Sequence, residues 1–286
     1  WGMKPSGDYV QLLKTLCIVA MIPSWFVKEA GRGFPLVLLH GLGASSFSWR
    51  ENIGPLSRHY RVLAPDLPAH GRTPPNLVAD FTLETLTRKL LDLLDRYDLS
   101  QAVLAGNSLG GSLTLLLARE APERFPALVL LAPAAGLERI PWLFYPLRLP
   151  ILGLAVAALL GPWTARAALY QAYYRKELIT PEVVAGYAVT FRTLANRLAL
   201  RRLGCQIEPW PLPRVEVLLR QIRQPTCLIW GEQDRVLPRD QAVWLKQRLP
   251  QAEMHLLPEV GHAPQEEAPE AVNEIIIAFL ARSLKN

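Results

Sequence analysis

The stretch of sequence that decides the fold is residues 102–118, which read AVLAGNSLGGSLTLLLA. A short apolar run leads into a turn in which Gly106 and Gly110 lie two residues on either side of Ser108, and a helix-like apolar segment follows. This is the G-x-S-x-G pattern of a nucleophile elbow in its strand, turn and helix context. The glycines leave room where larger side chains would collide with neighbouring backbone. The segment therefore predicts a serine nucleophile above the end of a strand, at a helix start whose dipole favours a developing oxyanion.

On both sides of this segment, short apolar runs rich in β-branched residues alternate with longer amphipathic stretches. The runs predict strands at Pro35–His40, Tyr60–Pro65, Ala102–Asn107, Ala127–Ala132, Thr226–Trp230 and Glu253–Leu257. The stretches predict helices at Phe47–Ser57, Leu83–Tyr97, Leu109–Glu120, Arg239–Leu249 and Pro269–Ser283. Such alternation is typical of βαβ units, so we expect an α/β fold with a mainly parallel central sheet flanked by helices.

The alternation stops between Gly136 and about Pro213, where Leu, Ala, Arg and Tyr dominate and no buried-strand run occurs. We interpret this segment as an insertion of about four helices. The predicted organisation is an N-terminal extension and first-strand region at 1–32, a catalytic core at 33–136 and 214–286, and a helical cap at 137–213.

A serine hydroxyl needs a base, so one histidine must reach Ser108. The five candidates are His40, His59, His70, His255 and His262. His262 lies in a loop after the last predicted strand, where its side chain can lean over the edge of the sheet. The other four fall within or before strands, or in turns where a structural role fits better. His262 is the predicted general base.

The base needs a carboxylate that orients it. Asp234 comes just after the strand predicted at Thr226–Trp230 and is the predicted partner. Its rivals are Glu232 on the same loop and Asp240 in the first turn of the next helix, where acids commonly offset the helix dipole. Acyl transfer also needs donors for the oxyanion, and we predict the backbone N–H groups of Leu42 and Leu109 in that role.

Five motifs, in this order, resemble the α/β-hydrolase superfamily. They are HGLG at 40–43, PDLPAHGR at 65–72, GNSLGG at 106–111, GEQD at 231–234 and GHAP at 261–264. The resemblance covers about residues 33–136 and 214–283. It implies the α/β-hydrolase fold, the serine, aspartate, histidine and oxyanion roles given above, no cofactor, and a cap inserted near Gly136. One departure is Ala69, where the family usually has glycine.

The cap is apolar, has few acids and carries several aromatic side chains, which favours an uncharged lipophilic substrate. These aromatic residues are Trp142, Phe144, Tyr145, Trp163, Tyr170, Tyr173 and Tyr174. We therefore expect a carboxylic ester hydrolase, similar to carboxylesterases and lipases. One alternative is a carbon–carbon hydrolase that cleaves dienone ring-fission products, whose elbow resembles residues 106–108. Those enzymes usually carry an aromatic residue after the catalytic histidine, where this chain has Ala263. The other alternative is a ligand receptor with vestigial hydrolysis.

Composition limits the partners of the chain. The formal net charge of +6 comes from scattered arginines, with a local excess at Arg192, Arg197, Arg201, Arg202, Arg214, Arg220 and Arg223. No nucleic-acid recognition motif accompanies this charge, so we expect no nucleic-acid partner. Uncharged runs at Thr15–Val27 and Leu149–Ala165 are too short to span a bilayer and are broken by Pro. We interpret the chain as cytoplasmic, with peripheral membrane contact through the cap or the N-terminal segment left open. Cys17, Cys205 and Cys227 are widely spaced and indicate neither a disulfide framework nor a metal site.

Overall fold

The computed structural model describes residues 24–135, 145–206 and 212–284. A seven-stranded sheet forms the centre in the order β1-β3-β2-β4-β5-β6-β7, and every strand pair is parallel except β1 with β3. The strands are β1 Val27–Ala30, β2 Pro35–Leu39, β3 Arg61–Pro65, β4 Val103–Asn107, β5 Leu128–Leu131, β6 Thr226–Gly231 and β7 Glu253–Leu257. The predicted fold class and all six predicted strands are confirmed. The short edge strand β1 lies within the first-strand region predicted at 1–32, but its bounds were not predicted, because Lys28 and Glu29 interrupt its pattern.

Twelve α-helices lie within the described ranges. They are α1 Arg50–Ser57, α2 Leu83–Arg96, α3 Leu109–Glu120, α4 Tyr145–Arg148, α5 Pro150–Ala158, α6 Pro162–Ala172, α7 Pro181–Ala188, α8 Leu194–Gln206, α9 Leu212–Gln221, α10 Arg239–Arg248, α11 Pro264–Glu267 and α12 Pro269–Ser283. The five helices predicted for the core correspond to α1, α2, α3, α10 and α12.

The sheet separates two hydrophobic layers. Side chains of α1 and α12, such as Leu56 and Ile276, pack on one face, and those of α2, α3, α9 and α10 pack on the other. All five residues of β4 are buried, because helices cover both faces of a parallel sheet. The sheet therefore holds its carboxyl edge rigidly, and the loops that leave this edge can carry reactive side chains in fixed positions.

The inserted segment is helical, as predicted, but it is divided more finely than expected. Residues 145–206 contain five α-helices, α4 to α8, where the sequence predicted about four for the whole insertion. Pro150, Pro162 and Pro181 each stand at the first position of a helix, where proline is favoured and separates one helix from the last. The predicted boundary near Gly136 and the cap aromatics Trp142 and Phe144 lie outside the described residues.

No single helix of the described chain is long and apolar enough to cross a membrane. Helices α5 and α6 meet that criterion only when taken together, and the chain bends by 101° between them. Most of the N-terminal run at Thr15–Val27, with Cys17, lies outside the described residues.

Candidate active site

Ser108 lies in the turn between β4 and α3 with strained backbone geometry. Its φ of 53° and ψ of −114° are rarely adopted by a residue with a side chain. The backbone around it holds this geometry, because Ser108 donates its N–H to Leu131 O at 3.0 Å and its own carbonyl accepts from Ala134 N at 3.0 Å. The half-buried side chain therefore stands at the carboxyl edge of the sheet.

The two glycines of the elbow are required by close packing of backbone. A Cβ atom at Gly106 would lie 2.3 Å from Gly110 O, and one at Gly110 would lie 2.2 Å from Leu39 O. Both separations are far below van der Waals contact. The physical reason that the sequence suggested for the glycines is thus visible in the structure.

His262 and Asp234 lie on the loops after β7 and β6 and form a hydrogen-bonded pair. The distance from His262 Nδ1 to Asp234 Oδ2 is 2.8 Å, and the aspartate side chain is fully buried. Because a carboxylate can only accept, Nδ1 carries the hydrogen and Nε2 is left as the proton acceptor. The second aspartate oxygen, Oδ1, accepts from Val236 N and Leu237 N, both at 2.8 Å. The pair is therefore fixed in orientation and tautomer.

Asn107 connects the serine turn to the histidine loop. Its Nδ2 donates to His262 O and to Leu131 O, each at 3.1 Å. The residue directly before Ser108 is thus bonded to the backbone of His262. Sequence reasoning missed this contact, since an asparagine between two named motif residues gives no signal of what its side chain bonds.

The loop after β2 lies against the serine turn. A Cβ atom at Gly41 would approach Ser108 Cβ to 3.2 Å, which places the neighbouring Leu42 beside the elbow. Leu109 is the first residue of α3, so its N–H has no acceptor within the helix. Both predicted oxyanion donors therefore belong to segments that meet at Ser108.

His40 and His70 are buried structural residues. His40 Nδ1 donates to Gly41 O and its Nε2 accepts from Leu67 N, both at 2.8 Å. His70 donates to Pro68 O at 3.0 Å. Burial lowers the pKa of His40 to about 4 and that of His70 to about 3, so both rings are neutral at pH 7.

The other rejected candidates lie elsewhere. His255 pairs with Glu253 on β7 at 2.8 Å, and His59 is exposed. Asp240 is exposed in the first turn of α10, as expected of an acid that offsets a helix dipole. Asp234 is the acid that contacts His262.

The family model for the alpha/beta hydrolase fold matches residues 35–269. This chain belongs to the alpha/beta hydrolase family. The hydrolase is 31% identical over 251 residues to an uncharacterized hydrolase, YugF, of Bacillus subtilis (strain 168), with 86% of this chain and 89% of that protein covered. It is 30% identical over 261 residues to the 2-hydroxy-6-oxo-6-phenylhexa-2,4-dienoate hydrolase of Burkholderia cepacia, with 89% and 90% covered. Among solved structures, a putative lipase from Acinetobacter baumannii shares the fold with a TM-score of 0.79 at 23% identity, covering 100% of this chain and 99% of that one.

The turn at 66–72 shows how this hydrolase accommodates Ala69 in place of the usual glycine. Ala69 adopts a φ of +68°, a left-handed conformation that costs a residue with a side chain about 1 kcal/mol. The carboxylate of Asp66 holds the turn by accepting from Ser46 N at 2.6 Å and Arg72 N at 2.8 Å. The departure from the family pattern is therefore confined to local strain.

The cap of the hydrolase is bonded directly to the histidine loop. The backbone N–H of His262 donates to Ala172 O, at the end of α6, at 2.8 Å. The buried carboxylate of Glu267 accepts from Gly261 N at 2.9 Å, Tyr174 N at 2.7 Å and Arg175 N at 3.0 Å. Glu267 was not singled out from the sequence, because an acid shortly after the histidine gives no indication that Tyr174 and Arg175, more than 90 residues earlier, are among its partners.

A second buried carboxylate lies beside the first. Glu266 accepts hydrogen bonds from Arg50, at the start of α1, and from the hydroxyl of Tyr187 in the cap. Burial raises the pKa of Glu266, and the facing Arg50 guanidinium limits the rise. Next to this pair, Ala263 packs with Leu169, Tyr173 and Val183. The cap thus packs on the histidine loop through an apolar wall and through Tyr187, whose hydroxyl contacts the ion pair of the core residues Arg50 and Glu266.

The described residues also bear on metal binding and on cysteine reactivity. Among the residues whose positions are described, no group of three or more His, Cys, Asp or Glu could hold a metal ion. Cys227 is buried in β6, and burial raises the pKa of its thiol to about 12. This thiol is therefore an unreactive core residue at neutral pH.

Proposed function

We propose that this chain is a serine hydrolase that cleaves carboxylic esters of lipophilic substrates through an acyl-enzyme. The observation that supports it most is the pair of His262 and Asp234, held by a 2.8 Å hydrogen bond and connected to the serine turn through Asn107. A base with a fixed tautomer, on a loop that is bonded to the turn of a serine at a strained elbow, is the arrangement that can activate a hydroxyl for acyl transfer.

In this mechanism Ser108 Oγ attacks the ester carbonyl while His262 Nε2 takes its proton. The buried Asp234 stabilises the imidazolium that forms. The N–H groups of Leu42 and Leu109 donate to the oxyanion, and the alcohol leaves with the proton from His262. Water then attacks the acyl-enzyme by the same steps, which regenerates the serine.

The lipophilic preference is inferred from the wall above the histidine. Leu169 and Val183 pack with Ala263, the residue after His262, in a buried apolar cluster, and Arg50 is already neutralised by Glu266. A substrate with a charge would lose hydration at this wall without gaining a free partner from Arg50. Several cap aromatics that the sequence singled out contribute less than expected, because Tyr145, Trp163 and Tyr170 are exposed.

The test is turnover of p-nitrophenyl esters that range from acetate to laurate. Ser108→Ala should fold normally and lose at least about 10³-fold in kcat/KM on every ester, because the attacking oxygen is gone. Ser57→Ala, which removes a partly exposed hydroxyl on α1, is the matched control and should keep wild-type rates. Activity of Ser108→Ala equal to that of the control would remove Ser108 from the mechanism.

The second candidate is carbon–carbon bond hydrolysis of a dienone. It is favoured by the 30% identity to the dienoate hydrolase of Burkholderia cepacia over most of both chains. Against it stand Ala263 after the histidine and the neutralised Arg50, since a dienoate carries a carboxylate. A dienone-cleavage assay beside the ester panel separates the two. A kcat/KM for the dienone above that for every ester would replace the ester proposal.

A further inference from the structure

The outward side of the cap carries large apolar side chains in water. We call Ile151, Leu152, Leu154, Leu159 and Trp163 the cap apolar face; they belong to α5, the turn after it and the start of α6. Ile151 is 84% exposed, Leu159 69% and Trp163 61%. From Leu149 to Trp163 the sequence contains no polar or charged side chain. Soluble monomers rarely expose such contiguous apolar patches, and those that exist mark interaction sites.

The packing of α5 explains why its large side chains point outward. The residues it buries are small, Gly153 and Ala157, spaced by one helical turn. A Cβ atom at Gly153 would lie 2.2 Å from Leu147 O, so α5 rests on α4 by backbone contact. The large apolar residues of α5 therefore face outward, where a surface helix usually carries polar residues.

A crevice continues the cap apolar face between α6 and α7. It has a volume of about 860 Å³, and Leu159 and Trp163 belong to both the crevice and the face. Its other walls include Ile179, Val184 and Phe191. Arg166, Arg192 and Arg197 also line it, so apolar surface and cationic side chains meet here.

The charge of the chain is concentrated in the same region. Residues 137–213 contain nine basic and four acidic side chains, a net charge of +5 within a total of +6. Between Arg139 and Lys176 the sequence has no Asp or Glu. The surface thus combines exposed apolar side chains with positive charge, the combination that binds the interface of an anionic membrane.

We propose that the cap apolar face docks on an anionic membrane surface, with α5 lying in the plane of the interface. Nine residues of helix measure about 14 Å, against about 30 Å for the hydrocarbon core. The 101° bend into α6 turns the next helix away from α5. This geometry supports docking rather than spanning.

Charge favours an anionic membrane over two other occupants of the cap apolar face, a second copy of the chain and residues 1–23. A second copy of the chain would bring a cap of the same +5 charge to the face. Residues 1–23 contain Lys4, Lys14 and Asp8, and so also carry net positive charge. Anionic lipid headgroups are the complementary partner.

The docked orientation places the candidate active site close to lipid. Helix α6 runs from Trp163 in the face to Ala172, whose carbonyl bonds His262 N, a span of about 14 Å. If the proposed esterase function holds, its substrates would enter from the membrane. The docking itself is measured without turnover, so it fails or stands independently of that function.

The experiment is co-sedimentation of the full chain with vesicles of phosphatidylcholine alone or mixed with phosphatidylglycerol. We expect binding to the mixed vesicles, and weaker binding both to phosphatidylcholine alone and at high salt. The double variant Ile151→Gln/Leu154→Gln should bind the mixed vesicles at least about tenfold more weakly. Arg166→Gln/Arg192→Gln should weaken binding by a similar factor.

The controls use exposed residues outside the cap, on the core helices α9 and α10. Val217→Gln/Val243→Gln removes side chains that are 59% and 40% exposed on α9 and α10, and it should bind as the wild type does. Arg239→Gln on α10 is the charge control. Thermal unfolding checks that each variant is folded.

Three results would overturn the proposal. One is no binding by the wild type, and another is equal binding by the face variant and the Val217/Val243 control, which would place binding elsewhere on the chain. The third is a dimer in solution that only the face variant dissociates, because a second copy would then be the occupant.

Discussion

At the scale of the residue, Asp234 divides its two oxygens between two tasks. Oδ2 holds the imidazole of His262, and Oδ1 closes the turn onto Val236 N and Leu237 N. The structure shows one carboxylate in a turn-closing role and in contact with the histidine, which ties the imidazole to the rigid end of β6.

We predict that Asp234→Asn loses activity while keeping its fold. An amide at this position can keep an oxygen on the two backbone N–H groups, but it then presents a donor to His262 Nδ1 and favours the wrong tautomer. We expect kcat to fall on the order of 10⁴-fold, measured with the ester on which the wild type is fastest.

The matched control is Asp240→Asn on α10, which removes an exposed carboxylate from the same region of the chain. It should retain nearly all activity. A loss in Asp234→Asn no greater than in Asp240→Asn would show that the aspartate does not orient the base.

At the scale of the element, β4 and α3 meet through glycine because no side chain fits between them and β2. We predict that Gly110→Ala destabilises the protein by about 3 kcal/mol or more, since its Cβ would lie 2.2 Å from Leu39 O and backbone must move. Urea unfolding measures the change, and ester turnover should fall with it as Ser108 is displaced.

Gly54→Ala serves as the control for this prediction. A Cβ atom at Gly54, in α1, meets nothing within 4 Å. The better helix propensity of alanine is opposed by the restriction that Pro55 places on the residue before it, so we expect a change below about 1 kcal/mol. A loss of stability in Gly110→Ala as small as in Gly54→Ala would contradict the packing argument.

The elements that the sequence predicted well are those whose signal is local. Buried parallel strands form continuous apolar runs, so β4 could be located from its apolar pattern. The glycines two residues before and after Ser108 are typical of a nucleophile elbow, so the turn at Ser108 could also be predicted from the sequence. Strand β1 could be assigned only to the region 1–32, and not to definite bounds, because an edge strand with Lys28 and Glu29 lacks such a run. Glu267 escaped because its role depends on Tyr174 and Arg175, which only the folded chain brings to it.

At the scale of the whole molecule, the cap is fastened to the core on two sides of the candidate site. On one side, Ala172 O and the carboxylate of Glu267 join α6 and the segment after it to the histidine loop. On the other side, the hydroxyl of Thr190 donates to Ala44 O at 3.1 Å and accepts from Gly71 N at 3.1 Å. The hydrogen bonds of Ala172 and Glu267 thus couple the position of the cap to the position of the histidine loop.

This linkage predicts that Glu267→Gln loosens the cap and the histidine loop together. An amide offers one acceptor oxygen where the carboxylate offered two, and its NH₂ group would face N–H donors of Gly261 or of Tyr174 and Arg175. We expect a loss of about 2 to 4 kcal/mol in the stability of this junction. In hydrogen exchange, amides of α6 and α7 should exchange faster while those of β4 and β5 change much less.

Glu270→Gln, which changes an exposed acid in the first turn of α12, is the matched control and should leave both sets of amides unchanged. Ester turnover should decrease in Glu267→Gln because His262 is less firmly placed, although Glu267 does not contact the substrate. Addition of a lipophilic ester product should restore part of the protection of α6, since a ligand under the apolar wall binds the closed arrangement better than the loosened one. Unchanged exchange in α6 and α7 would show that the cap is held without Glu267, and the link between cap and histidine would then rest on the Ala172 contact alone.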